Sequence, residues 1–538
     1  MALRTAMIGA GSVGFTVKLM RDILAVPELA DTTFAFTDIS QRNLDMVAQL
    51  CERDIKASKL PAKIEATTDR RRAIAGADYV ICMIRQGGLE AFQTDVDIPL
   101  KYGVDQCVGD TICAGGIMYA QRTIPALLDF CKDIREVAQP DALFLNYSNP
   151  MAMNTWACNK YGKVNTIGLC HGVQGAHWQI AHCVEIWAKR NGLLPKDYAT
   201  PGHPAKHRWG ITDFPIGLHR KEVDVICAGI NHQTWFTQVK FRGQDVTHLL
   251  PQMFDLHPDF VQTEKVRIDV LKRFGYYSTE SNGHLSEYLP WYRKRTSEIN
   301  KWIDLSSWIN GETGGYLRVC TEGRNWFDTD FPNWLKEEPK PITPQGRSEE
   351  HGSYIIESLE TGRTYRGHFN VINNNHITNL PNGCVIEIPG YVDANGINMP
   401  VVGDLPLACA ATCSASVRVQ EMGVEAAVHG DVNMLKLAML HDPLVGAVCN
   451  PEEVWQMTDE MLVAQRQWLP NYKASDIDAA AARLAAHEKA GTRVKLHNTQ
   501  GAARIHTKTV AEMAQDKEAS RKNAQAADKG KMTKETAH

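Results

Sequence analysis

Short apolar runs alternate with stretches of helical period along the first 170 residues. Residues 3–9 form an apolar run that ends on glycine. Residues 12–28 then set Val13, Val17, Leu19, Ile23 and Leu24 at helical spacing. Residues 33–37 predict a second strand closed by Asp38, and Leu44, Met46, Val47 and Leu50 mark the helix after it. Residues 79–84 and 142–147 predict further strands, with a helical stretch from about 116 to 138 between them. Residues 165–170 add a last apolar run. Strands separated by helices cannot pair as hairpins, so they predict a parallel sheet covered on both faces. The fold class is α/β, with an N-terminal Rossmann-type doubly wound sheet over residues 1–172.

Beyond residue 172 helical patterns mix with strand-like runs at 223–229 and 234–239, which predicts an α+β domain over 173–470. Residues 194–222 carry Pro, Gly and His irregularly and predict a loop insertion. Residues 325–350 cluster Asp, Pro, Glu and Lys and predict a second exposed loop. Residues 471–538 are rich in Ala, Lys, Gln and Glu and predict a helical, partly flexible extension with a helix over 476–489. From about Ala514 the chain is polar, suited to disorder or to a helical arm on a neighbouring subunit. No internal repeat is visible.

Composition acts by exclusion. Of 538 residues, 44% are hydrophobic and 22% charged, which excludes disorder for the bulk of the chain. The formal net charge of -4 offers no basic excess for nucleic acid. No run reaches the roughly 18 apolar residues of a membrane span, and no signal-peptide pattern opens the chain. The expectation is a cytoplasmic protein whose 14 Cys stay reduced. No C-x-x-C pair suggests a zinc knuckle.

Gly9-Ala10-Gly11-Ser12-Val13-Gly14 matches G-x-G-x-x-G between a predicted strand and a predicted helix. Gly9 permits the tight turn, Gly11 the close approach of a pyrophosphate, and Gly14 the packing of helix on sheet. Ser12 and Val13 open the helix whose N–H groups would face the phosphates. Asp38, at the end of the second strand, would bind ribose hydroxyls and repel a 2′-phosphate, so NAD is favoured over NADP. Asn146, at the end of a later strand, joins the expected cofactor contacts.

Three segments look chemical: Asn146-Tyr147-Ser148-Asn149-Pro150, Gly168-Leu169-Cys170-His171-Gly172 and Gly229-Ile230-Asn231-His232-Gln233. A thiolate and an imidazole in one cleft suit a metal. A buried thiol and a satisfied core histidine are the open alternative.

The chain resembles glycoside hydrolase family 4, the NAD- and divalent-metal-dependent glycosidases, over about residues 3–470. The likeness is carried by GAGSVGF (9–15), QGGLEAF (86–92), GDTICAGGIM (109–118), NYSNPMAMNTWA (146–157), GLCHGVQG (168–175), CAGINH (227–232), TESNGHLSEYLPW (279–291) and LPNGCVIEIPGYVDANGI (380–397). Within the family it is most similar to the α-galactosidase (melibiase) branch, and His171 after Cys170 points to a non-phosphorylated sugar. The resemblance implies a plan like that of lactate and malate dehydrogenases, with NAD and Mn²⁺ or another divalent metal as cofactors. It implies hydrolysis by oxidation at C3, loss of the C2 proton, elimination of the aglycone, water addition and re-reduction. Cys170 and His232 would hold the metal, Asn149 and Asp110 the sugar, and His171 would assist the leaving oxygen. The family's C2 base maps near Ser281, which cannot be a strong base, so Glu280, His284 and Tyr288 are the local candidates. Arg85, at a strand end, would meet substrate or cofactor.

An α-galactoside leads as substrate. An anionic glycoside such as an α-galacturonide or sulfoquinovoside is the alternative, suggested by the basic stretch from His203 to Arg220 with His207, Arg208 and His219. An α-glucoside and an NAD-dependent sugar or hydroxyacid dehydrogenase remain further alternatives. The family implies a homodimer or homotetramer, with no nucleic-acid or membrane partner.

Overall fold

The computed structural model describes residues 2–198, 217–324, 326–497 and 503–519. Six strands pair in parallel: β1 (Arg4–Ile8), β2 (Thr33–Thr37), β3 (Lys63–Thr67), β4 (Tyr79–Cys82), β5 (Leu143–Asn146) and β6 (Thr166–Gly168). Their spatial order is β3-β2-β1-β4-β5-β6, the doubly wound arrangement expected from the alternation of strand and helix. β4 and β5 are buried throughout, as parallel strands under two helical layers must be. β3 was not anticipated. It is an edge strand whose Lys63 and Glu65 face solvent, so it lacks the apolar run by which the others were read.

The hydrogen-bonded sheet continues beyond residue 172. β7 (Val223–Ile230), β8 (Gln233–Phe241), β9 (Gln244–Asp245), β10 (Tyr277–Ser278), β11 (Tyr365–Ile372), β12 (Val385–Asp393) and β13 (Gly396–Asn398) join it by antiparallel pairing. Past β6 the order is β11-β12-β7-β8-β10, with β9 against β8 and β13 against β12. The β11–β12 hairpin therefore stands between β6 and β7.

The 325–350 stretch is more ordered than its composition implies. Trp326–Thr329 and Phe331–Trp334 are short helices, and Pro344–Gly346 is a 3-10 turn. Phe331 is buried, and Arg53 donates to the carbonyls of Trp334 and Glu337. Of the 194–222 insertion, residues 199–216 lie outside the described residues, and with them His203, His207 and Arg208. The extension forms the helix Ala474–Ala490 close to its expected bounds. The chain then folds back: His497 N–H donates to the Lys101 carbonyl at 2.7 Å, and Thr313 N–H to the Ala503 carbonyl at 2.7 Å. Residues 510–519 are helical, and 520–538 lie outside the described residues. No helix among the described residues is long and apolar enough to cross a membrane.

The helix Cys113–Val137 is buried along most of its length and packs against Met151–Lys160 and Leu407–His429. Its first turn backs onto the loop before it, where a Cβ at Gly116 would lie 2.5 Å from the carbonyl carbon of Thr111. Farther along, Arg122 makes a bidentate, fully buried pair with Asp95 at 2.7 and 2.9 Å. Removing one member of such a pair strands the other charge without water. Asp95→Ala should therefore destabilise the fold by about 3–5 kcal/mol. Equilibrium denaturation of the variant beside wild type measures this, and an unchanged midpoint would contradict it.

Candidate active site

The turn after β1 is shaped by its first two glycines. Gly9 has φ +86°, and the N–H groups of Gly9 and Ala10 donate to the Thr37 carbonyl at 2.9 and 3.1 Å. A Cβ at Gly11 would sit 2.8 Å from Asp38 Oδ2, and the Gly11 N–H donates to that oxygen at 2.9 Å. Asp38 Oδ1 accepts the Ser40 N–H at 2.8 Å. Gly9, Gly11, Ser12, Asp38, Ile39 and Arg85 line a cleft of 730 Å³, with the Ile39 side chain fully exposed at its mouth. The bare backbone at Gly11, the carboxylate beyond it and the apolar Ile39 suit a pyrophosphate, a ribose and a purine face. The other expected contacts lie elsewhere. Val13 and Gly14 line a neighbouring groove with Val17 and Lys18, and a Cβ at Gly14 would meet nothing within 4 Å. Close packing of helix on sheet therefore does not require that third glycine. Asn146 is fully buried, accepting the Ser148 N–H at 3.0 Å and donating to the Ser148 carbonyl at 2.9 Å, so its side chain braces the turn below Asn149.

A second cluster forms where β6, β7 and β10 end. Cys170 lies two residues past β6, His232 in the β7–β8 turn and Glu280 two residues past β10. One ligand atom from each lies within 4.8 Å of the others. The Cys170 thiol donates to Glu280 Oε1 at 3.1 Å, and His232 Nε2 lies 4.0 Å from the same oxygen. Glu280 has φ +66°, a conformation that side chains rarely adopt. Its carboxylate occupies the space a side chain at Gly172 would need, for a Cβ there would lie 1.6 Å from Oε1.

Electrostatics divides the protons among these groups. Burial opposes ionisation of Glu280, yet the imidazoles of His232, His284 and His171 hold it down to about 2. Burial, reinforced by that carboxylate, pushes the Cys170 thiol well up. Burial also lowers His232. Thr111 Oγ1 donates to Asp110 Oδ1 at 2.9 Å and lies 2.6 Å from His232 Nδ1. A hydroxyl with its proton committed to a carboxylate accepts at the other contact, so Nδ1 carries the proton and the Nε2 lone pair is free. A thiolate, a carboxylate and a neutral imidazole together match the charge of one divalent cation.

Asp110 and His284 form a second group around His232, again with ligand atoms within 4.8 Å. Asn149 Nδ2 donates to Asp110 Oδ2 at 2.7 Å. His284 stands on the helix Asn282–Tyr288, which Ser281 caps, and its Nδ1 lies 2.8 Å from Ser281 Oγ. Tyr288 is buried next to it, with ring centroids 6.0 Å apart, and burial pushes its phenol well up. His171, 44% exposed at its side chain, stands at the rim 3.9 Å from Glu350. Arg85 is boxed by Phe92, Tyr119 and Tyr316, with its guanidinium carbon 4.2, 4.8 and 5.3 Å from their ring centroids. Its Nη1 is buried with no hydrogen-bond partner among the described residues.

The positioning side chains were not singled out from the sequence. Besides Thr111, Glu287 accepts the N–H groups of Cys107, Val108 and Gly109 at 2.8, 3.2 and 3.2 Å, fastening the loop that carries Asp110. Thr111 and Glu287 both lie in quoted motifs, but the partners that tie them to the site, His232 for Thr111 and Gly109 for Glu287, are more than 100 residues away in the chain.

The Family 4 glycosyl hydrolase profile matches residues 4–186, and the Family 4 glycosyl hydrolase C-terminal domain profile matches residues 227–445. An α-galactosidase of Rhizobium meliloti (strain 1021) is 57% identical over 524 residues, covering 97% of this chain and 99% of that protein. An α-galactosidase of Bacillus subtilis (strain 168) is 32% identical over 476 residues, covering 87% of this chain and all of its own length. The 6-phospho-β-glucosidase of Thermotoga maritima, solved with manganese, NAD⁺ and glucose-6-phosphate, superposes with a TM-score of 0.65 at 22% identity, covering 87% of this chain and 99% of its own.

Since the Cys170 proton is held between sulfur and carboxylate, a bound divalent cation must displace it. Mn²⁺ addition near neutral pH should release about one proton per site, and Mn²⁺ affinity should rise with pH. Indicator titration in weak buffer reads both, and binding without proton release would place Cys170 outside the ligand set.

Proposed function

This chain belongs to the family 4 glycosyl hydrolases, and from that membership we propose that it hydrolyses α-galactosides with NAD and a divalent metal, Mn²⁺ by preference. The observation that carries the reading is the Cys170–His232–Glu280 cluster, with Asp110 and Asn149 beside it; Cys170 and Asn149 follow the C-terminal ends of β6 and β5, as Gly11 and Asp38 follow those of β1 and β2. The 57% identity to an α-galactosidase supports the sugar.

When bound, NAD would supply a hydride acceptor for the sugar ring and the metal a Lewis acid for its hydroxyl oxygens, chemistry that acidifies the C2 proton. Gly11, Asp38 and Ile39 would hold the dinucleotide. Cys170, His232 and Glu280 hold the cation. Asp110, oriented by Asn149 and Thr111, accepts a sugar hydroxyl. Among the base candidates, Glu280 is occupied against the thiol and its low affinity for protons makes it a weak base. Tyr288 is held protonated by burial. His284 combines a buried ring held by Ser281 with a nitrogen facing Asp110 and His232, so we assign it the C2 proton. His171, at the rim beside Glu350, protonates the leaving oxygen.

A second reading rests on Arg85, whose buried Nη1 has no hydrogen-bond partner among the described residues and so favours an anionic sugar such as an α-galacturonide. We further propose a cytoplasmic homodimer or homotetramer. The exposure of Val401 and Leu407 supports contact with another copy.

The decisive experiment follows cleavage of an α-galactoside, an α-glucoside, an α-galacturonide and an α-sulfoquinovoside in D₂O with NAD, Mn²⁺ and a thiol reductant, each omitted in turn. The expected result is galactoside cleavage that requires NAD and Mn²⁺, with deuterium at C2 of the released galactose. Cleavage without deuterium would sink the mechanism. Faster cleavage of the galacturonide would move the assignment to the second reading, and NADH accumulation without cleavage would move it to a dehydrogenase. His284→Ala should slow exchange of the C2 proton by about 10²–10⁴-fold and leave NAD binding unchanged; unchanged exchange would remove it as the base.

A further inference from the structure

The two loops that bring Cys170 and His232 together do not come from neighbouring strands. Cys170 follows β6, His232 follows β7, and the β11–β12 hairpin is inserted between them. One row of residues crosses this gap. Gly168 of β6 lies opposite Asn370 of β11, Asn370 opposite Glu387 of β12, and Glu387 opposite Gly229 of β7. Residues paired across strands project from the same face, and the two outer members have no side chain. Asn370 and Glu387 therefore fill that face between the two loops.

Each reaches toward one of them. Asn370 Nδ2 donates to the Gly168 carbonyl at 3.3 Å, two residues before Cys170. Asn231 Nδ2 donates to Glu387 Oε2 at 3.3 Å, and Asn231 immediately precedes His232. Asn370, Glu387 and Asn231 are 0%, 2% and 1% exposed. A carboxyl buried this completely stabilises a sheet less than an apolar side chain of its size would. Its presence between two ligand-bearing loops calls for a role other than core stability.

We propose that Glu387 is a positioning residue for the metal centre: from the middle of the β11–β12 hairpin it anchors Asn231, and with Asn370 it sets the separation of Cys170 and His232. The inference rests on the metal reading above. It makes no claim on the reacting sugar, and Glu387 acts through Asn231 rather than on the cation. Burial raises this carboxyl to about 8, so the neutral amide of glutamine is a close substitute for it near pH 7.

The test uses the full chain with Glu387→Leu, which keeps the volume but removes the polar atoms, and Glu387→Gln, which keeps both. Mn²⁺ binding is read from the electron paramagnetic resonance signal of free Mn²⁺, NAD binding by calorimetry, and stability by thermal unfolding. Expected is a loss of Mn²⁺ affinity of about 10–100-fold in Glu387→Leu. NAD affinity should stay at the wild-type value in both variants, and Glu387→Gln should bind Mn²⁺ within about threefold of wild type. Wild-type Mn²⁺ affinity in Glu387→Leu would overturn the inference while leaving the metal reading intact. Equal losses of Mn²⁺ and NAD binding with a lowered unfolding temperature would overturn it in favour of a purely structural role. A wild-type chain that binds no Mn²⁺ would remove the metal reading and this inference with it.

Discussion

A thiol and a carboxylate 3.1 Å apart, both largely withdrawn from water, must share either a proton or a cation. That constraint organises the centre of this molecule. The carboxylate lies where a side chain at residue 172 would be, and glycine stands there. The Glu280 backbone is held at φ +66°, a conformation that only surrounding packing can maintain in a residue with a Cβ. The neighbouring imidazole is fixed by a hydroxyl whose own proton is committed to Asp110. Each feature makes sense if the site is built to receive two positive charges and gives up a proton in exchange.

The supports around this centre are carboxylates and amides rather than apolar side chains. Glu287 gathers three backbone N–H groups of the loop before Asp110, and Ser281 caps the short helix that presents His284. Polar supports tie a loop to one geometry, whereas apolar contacts of similar area allow it to slide. The Gly11–Asp38 cleft is built differently. There the backbone itself does the work, through the turn at Gly9, the bare Gly11 and the N–H groups that hold the Asp38 carboxylate in place.

The parallel half of the sheet was legible because its strands are buried on both faces and so are written as continuous apolar runs. β3 was not, because an edge strand with exposed Lys63 and Glu65 carries no such run. The order of the later strands depends on pairings between segments more than 100 residues apart, such as β6 with β11, and no local pattern encodes that. Cys170 and His232 stood out because reactive side chains followed strands at glycine-containing turns, and Asn149 because it closes a strand, whereas Asp110 entered only through the family resemblance. Glu280 was expected among the proton carriers, and its closeness to the thiol emerges only when β10 is brought beside β8. Gly14 shows the opposite error: the fingerprint assigns it a packing role that open space around it does not require. Thr111, Glu287 and Glu387 were invisible as functional residues because they act through imidazole, backbone and amide partners that only the fold brings to them.

The insertion of the β11–β12 hairpin beside β6 also sets the order in which this chain can mature. During synthesis the six parallel strands emerge within the first 168 residues, yet the edge of β6 stays uncovered until β11 is complete at residue 372. An uncovered strand edge is a template for wrong pairing, and here it persists while more than 200 further residues are translated. The nascent chain thus carries a sticky border for much of its birth, and the segment that seals it is the same one that spaces the two reactive loops. Closing the sheet and bringing Cys170 beside His232 are in this way one late event rather than two.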